Sequence, residues 1–228
     1  MRIIARFEKG EAVRFVSHLD IQRTFQRAFR RANIPLAYSQ GFNPHPQLSF
    51  ATALALGYTS EAEWFDVKLA EDMAPERFQE AVNSVLPTGF RILEAQAAEE
   101  KLPALTALMA ASSHEVDFIL PVSVSAESVI SAFDAMAGGE IFVEKRTKGG
   151  MKTVDIRPML LHYSFSQTAD SLKLSVFGVS DAKGSLNIDL LLGALSDKIP
   201  GEFSYRVHKN TIYSLDGRVM PQKPVFAC

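Results

Sequence analysis

The spacing of hydrophobic positions changes period several times along the chain, and each change marks an element. Residues 2–8 alternate apolar and polar, which predicts a strand. From Ile21 the spacing lengthens to steps of three and four, with Ile21, Phe25, Ala28, Phe29 and Ala32 forming the buried stripe of a helix. Ser17 opens that helix, with Asp20 three residues on in a capping-box-like pair, and Asn33-Ile34-Pro35 closes it. A short strand is expected at 36–38, an apolar run follows at 50–56, and 63–69 alternates around Trp64, Phe65 and Val67. Pro75 suits the first turn of a second helix, striped by Phe78, Val82, Val85 and Leu86, and 90–95 reads as a strand. This order of strand, helix, strand, strand, helix, strand is that of a ferredoxin-like split βαβ module.

The pattern restarts after an Ala-rich stretch. Residues 98–113 show no strand signal and read as a linker. Strands are then expected at 115–120, 140–146, from 153 through 165, at 172–178 and at 203–208. Two helices interleave with them, one on Val129, Ile130, Phe133 and Met136, and one capped by Ser185 that carries Ile188, Leu191, Leu192, Leu195 and Ile199. The expected fold class is therefore α+β, with two ferredoxin-like αβ-sandwich modules at 1–97 and 114–210 related by internal duplication. A C-terminal tail at 211–228 is left over.

Composition narrows the chemistry. The chain has 228 residues, 47% hydrophobic and 22% charged, with a net charge of −2, so any anion site must be a local patch. The single cysteine, Cys228, leaves no internal disulfide framework, iron–sulfur cluster or cysteine-based zinc site. No metal and no cofactor are expected, and a reducing cytoplasm is the natural compartment. No apolar stretch reaches the ~20 residues of a membrane span, so no membrane partner is expected.

Three stretches carry candidate chemistry. The first is the loop from Tyr38 to Phe50, in which Pro44 and Pro46 fix two φ angles and Gly41 permits unusual backbone. It holds Ser39, Gln40, Asn43 and His45 at set angles. The second is the outer face of the first helix, where Arg23, Arg27, Arg30 and Arg31 recur with Asp20 as the one carboxylate. That face is either a solvated charge run or a site for phosphates or an acidic partner. The third is a basic hairpin around Gly149-Gly150, with Lys145, Arg146, Lys148, Lys152 and Arg157 as phosphate candidates. Candidate acid–base groups are His18, Asp20, His45 and Asp155. Their spacing alone sets no geometry, whether for a metal or for a serine nucleophile. Glu61 and Glu63 read as partners for the arginine helix.

The segments 15–20, 38–50, 54–57, Ser60-Glu61 and the hairpin ending Val154-Asp155-Ile156-Arg157-Pro158 resemble the radical-SAM-linked family of bacterial proteins that carry a domain of unknown function. The resemblance covers most of the chain. It implies association with a radical SAM protein, as a separate chain or as part of a fusion. This chain lacks the cysteine triad of such an enzyme and cannot itself be the radical catalyst. The family's gene context implies RNA processing or modification, and no catalytic residue transfers with it. The leading expectation is an RNA-binding or substrate-presenting accessory partner, non-catalytic alone. The alternatives are an RNA-modifying or RNA-cleaving enzyme, like a pseudouridine synthase or a CRISPR endoribonuclease, and a pure protein-interaction module.

Overall fold

A computed structural model describes residues 1–99, 101–147 and 149–225. The fold is α+β. The chain divides into two compact units, one of 1–109 with 209–212, the other of 110–208 with the residues from Tyr213 onward.

In the first unit the order is β1 (Arg2–Lys9), α1 (His18–Arg31), β2 (Leu48–Phe50), β3 (Thr59–Lys68), α2 (Pro75–Asn83), β4 (Phe90–Ala97) and a single turn, α3 (Leu105–Leu108). β2, β3, β1 and β4 pair antiparallel, in that order. Register is set by burial. Ile3, Ala5 and Phe7 of β1 and Phe65 and Val67 of β3 face a core shared with Ile21, Phe25, Ala28 and Phe29 of α1 and Phe78 and Val82 of α2. Both helices therefore cover one face of the sheet. Phe25 lies at the centre, with ring centroids of Phe7, Phe29, Phe50, Phe65 and Phe90 between 4.7 and 6.0 Å away. The outer edge of β4 is covered: Asn83 of α2 donates to the Ile92 carbonyl at 2.9 Å and accepts from its N–H at 2.8 Å, which denies both groups to an added strand.

The second unit contains β5 (Met109–Ile119), α4 (Ala126–Ala137), β6 (Phe142–Thr147), β7 (Gly150–Asp155), β8 (Leu160–Gln167), β9 (Leu172–Asp181), β10 (Gly184–Ser185) and α5 (Ile188–Ser196). A last strand, β11 (Ser204–Ser214), has residues in both units. β9 pairs antiparallel with β5, β8 and β10, and β6 with β7 forms a separate two-stranded hairpin. Val116, Val129, Phe133, Leu174, Val176, Leu191 and Leu195 are buried in this unit.

The structure departs from the sequence expectations at element ends. The stretch 98–113, expected as a linker, contains α3 and the first residues of β5, and Arg2 donates to the Leu102 carbonyl at 2.7 Å. The single strand expected from 153 through 165 is two, β7 and β8, parted where Arg157–Met159 make one tight turn at Pro158. Ser185 lies in β10, and the cap of α5 is Asn187, whose side chain accepts from the Leu190 N–H. β11 continues to Ser214, into the expected tail.

Candidate functional site

The start of α1 is built as its sequence requires. Ser17 is the N-cap, and its Oγ accepts from the Asp20 N–H at 3.2 Å and donates to Asp20 Oδ2 at 2.7 Å. Arg23 pairs with Asp20 Oδ1 at 3.1 Å. The Ser17 hydroxyl and then the Arg23 guanidinium hold the Asp20 carboxyl below the usual range. Asp20 thus caps a helix and anchors an arginine, which leaves it poorly suited as a proton acceptor. His18, half-buried beside it, accepts from Gln22 Nε2 at 3.0 Å and meets the Phe50 ring edge-on at 5.6 Å. Burial lowers its pKa, against an upward pull from Glu63.

That pull comes from a polar cluster that sequence reasoning missed. Lys9 follows Ile3, Ala5 and Phe7 at strand period, and Glu63 precedes Phe65 and Val67 in the same way, so both face inward. Lys9, Ser60, Glu63 and Lys209 are all buried. Glu63 Oε1 accepts from Lys209 at 2.8 Å and from Ser60 at 2.9 Å, and Oε2 accepts from Thr52 at 3.0 Å. Lys9 donates to the Arg14 carbonyl at 2.7 Å. Burial pushes the Lys9 ammonium down, opposed by Glu63 and reinforced by Lys209. The expected pairing of Glu63 with the arginine helix is therefore incorrect: its partner is Lys209, 146 residues away. The readable signal was charge on the buried phase of two strands.

The loop after α1 is pinned at its neck. Tyr38 bridges Pro46, the Ser39 N–H donates to the His45 carbonyl at 2.9 Å, and the Gln47 N–H donates to the Ala37 carbonyl at 2.9 Å. Ser39 Oγ lies 2.9 Å from His45 Nδ1 and accepts from the His45 N–H at 3.1 Å. Gly41 has φ +126°, a value that disfavours any side chain. Residues 40–45 are exposed, and Phe42 at the turn is fully so. The candidates Ser39 and His45 come together here. Among the described residues no three His, Cys, Asp or Glu side chains form a metal-sized cluster, so His18, Asp20 and His45 are not assembled as one.

The arginines of α1 separate into two kinds. Arg23 is held by Asp20, and Arg31 donates to the Val85 carbonyl beyond α2, so both have structural partners. Arg27 and Arg30 are exposed, and among the described residues neither forms an ion pair or hydrogen bond. In the hairpin, Lys145 lies directly opposite Lys152, and Arg146 opposite Met151. Opposed like charges destabilise a hairpin unless an anion lies between them. Asp155 Oδ1 accepts from the N–H groups of Ile141 and Arg157, and Arg157 donates to the carbonyls of Ala137 and Leu160. Those bonds tie Asp155 and Arg157, candidates for catalysis and for phosphate binding, to the backbone around the turn between β7 and β8. Lys148 lies outside the described residues.

The chain is thus an α+β protein with an arginine-faced helix and a pinned proline loop in its first unit and a basic hairpin in its second. The chain belongs to the family described as an uncharacterized protein conserved in bacteria (DUF2344), which matches residues 2–190. No curated protein matches it. Among solved structures it is similar to a chain from "Crystal Structure of a Cbf5-Nop10-Gar1 Complex", with 9% identity and a TM-score of 0.52 over 92% of this chain. This chain spans about half of that one, 48%. It also aligns with "an Unknown Protein from Galdieria sulphuraria", over 90% of this chain and 97% of that one at 15% identity, but a TM-score of 0.27 is too low to indicate a shared fold. No helix among the described residues is long and apolar enough to cross a membrane.

Proposed function

We propose that the chain is a cytoplasmic RNA-binding accessory protein that presents substrate to a radical SAM enzyme. The observation that carries this reading is the pair Arg27 and Arg30. Both are exposed on the outer face of α1 and, among the described residues, form no direct ion pair, although Arg27 is close enough to Asp20 to help lower its pKa, in a chain of net charge −2. An exposed arginine pair gains by meeting phosphates, which it can bind bidentately. The opposed Lys145 and Lys152 supply a second cationic position. The radical SAM partner rests on the family resemblance and the absent cysteine triad. The likeness to the Cbf5-Nop10-Gar1 chain bears on fold alone. Duplicated ferredoxin-like modules belong to the same reading. The β2-β3-β1-β4 order with two helices on one face supports it in the first unit, and the run β8-β9-β5 followed by α5 supports it in the second.

The test is retention of cellular RNA by the purified chain at low and high salt, beside an Arg27→Glu/Arg30→Glu variant. The expected result is RNA held by the native chain at low salt and lost from the variant, with a salt slope shallower by about 0.7 for each phosphate contact removed. A native chain that retains no RNA at low salt overturns the reading. RNA turnover by the isolated chain would replace it with the enzyme alternative.

A further inference from the structure

β8 is an outermost strand: β9 pairs with it on one side, and among the described residues no strand pairs with the other. The first unit shows how this chain blocks such an edge. Along β4, Gln79 and Asn83 of α2 bond to the backbone of Ile92 and Leu93. Nothing comparable protects β8. The Thr168 N–H donates to the Ser171 carbonyl at 2.9 Å and closes the β8–β9 hairpin. Antiparallel alternation then turns the N–H and carbonyl groups of Ser164 and Ser166 towards β9, and those of Tyr163, Phe165 and Gln167 outward. Among the described residues no hydrogen bond reaches those outward groups.

A strand edge left in water is usually guarded by charge, proline or a bulge. Tyr163-Ser164-Phe165-Ser166-Gln167 has no charge and no proline. Its guards stand only at the ends. At one end a bulge lies between Leu160 and His162, where Arg157 takes the Leu160 carbonyl at 3.0 Å; at the other the turn begins at Thr168. The regular edge is therefore the five residues centred on Phe165, and what fits it is another extended backbone. The segment matches itself. Turned about a two-fold axis at Phe165, a second β8 runs antiparallel, as a self-complementary contact requires. Tyr163 then exchanges hydrogen bonds with Gln167 of the second copy, and Phe165 with Phe165. Ser164 stands opposite Ser166, and no like charges face each other. Tyr163 and Phe165 are half-buried against Phe133 of α4, at centroid distances of 4.8 and 5.4 Å. Pairing sets the two Phe165 rings side by side and covers the part of this aromatic cluster that one copy leaves in solvent.

We infer that β8 pairs antiparallel with β8 of a second copy of this chain, centred on Phe165, to form a two-fold dimer. Pairing needs no RNA. Five residues from each copy make a small interface, so association should depend on concentration.

The test is sedimentation velocity of nuclease-treated protein over a wide concentration range. The chains compared are native, Gln167→Pro, Ser164→Asp/Ser166→Asp and Ser164→Lys/Ser166→Asp. Native protein is expected to pass from monomer to dimer. Gln167→Pro deletes an outward N–H and leaves the bonds to β9 intact, so that variant should stay monomeric with native circular dichroism. Both charge variants place a carboxylate at position 166, opposite Lys173 of β9, and differ only in the charge at 164. Across the axis the first sets like charges together twice, and should dimerise about 2- to 30-fold more weakly than native. The second sets opposite charges together twice, and should dimerise at least as well as native. Its side chains stand at the same exposed positions, so a folding fault shared by both variants would be seen in it too. Three results overturn the inference. Native protein that is monomeric at every concentration leaves the edge to a strand of another protein. A dimer that survives Gln167→Pro uses another surface. Charge variants that dimerise alike rule out the register centred on Phe165.

Discussion

Glu63→Gln tests whether the buried polar cluster holds the first unit together. The substitution keeps the shape of the side chain and removes its charge. Lys209, only 7% exposed at its side chain, then loses its counterion. Lys9, fully buried, loses the one neighbour that raises its pKa and keeps the one that lowers it. Removing one partner of a buried ion pair costs about 3–5 kcal/mol, because the remaining charge stays desolvated. Gln keeps an oxygen for Ser60 and Lys209 only by presenting its amide to Thr52, or keeps one for Thr52 by presenting the amide to Ser60 and Lys209, and all three donate in the native cluster. The expected loss is therefore within that range, read as a fall in urea midpoint at constant m for the transition of the first unit. Glu63→Gln/Lys209→Met removes the stranded ammonium along with the carboxylate and should recover a large part of the loss. A single variant that costs under about 1 kcal/mol would refute the reasoning, since that is the cost of an exposed pair. So would a double variant no more stable than the single one.

His18 and Asp20 link stability to acid. The folded pKa of His18 lies below its unfolded value of 6.5, so its share of stability is complete above pH 6.5 and is lost as pH falls through the lowered value. Asp20, lowered from 3.8, is complete above that pH and fails further down. An NMR titration of the His18 ring should give a midpoint below 6.5, and a midpoint at or above 6.5 would contradict its burial. Gly178→Ala places a Cβ 2.7 Å from the Leu186 side chain within β9, and should cost about 1–3 kcal/mol by chemical denaturation. A neutral result would mean that Leu186 moves freely.

How much was legible follows from where each instruction lies. The helix α1 could be read almost to the residue, since its cap, stripe and proline stop are all local. The loop could be read for the same reason: Gly41, Pro44 and Pro46 act on their own backbone. Partner choice could not. Arg23, Arg27, Arg30 and Arg31 are equivalent by helical phase and all exposed, yet the fold gives direct partners to Arg23 and Arg31 and not to the other two among the described residues. Arg31 is settled by a carbonyl 54 residues away, and Arg157 by one 20 residues back. Nothing local distinguishes them.

The same distinction separates the two kinds of charge in this protein. Lys9, Glu63 and Lys209 occupy positions that strand period assigns to the core. Burying them costs desolvation, which the native cluster offsets with carbonyl and hydroxyl contacts. Arg27 and Arg30 occupy positions assigned to solvent, where unpaired cations cost little and gain most from an arriving anion. A cluster that needs all its partners inside the fold belongs to stability. Cations left without direct ion pairs on a rigid helix are suited to a ligand. The variants at Glu63 should therefore change the unfolding midpoint, and those at Arg27 and Arg30 should change RNA affinity with the midpoint constant. A variant of the second group that lowered unfolding stability by more than about 0.5 kcal/mol would break that separation.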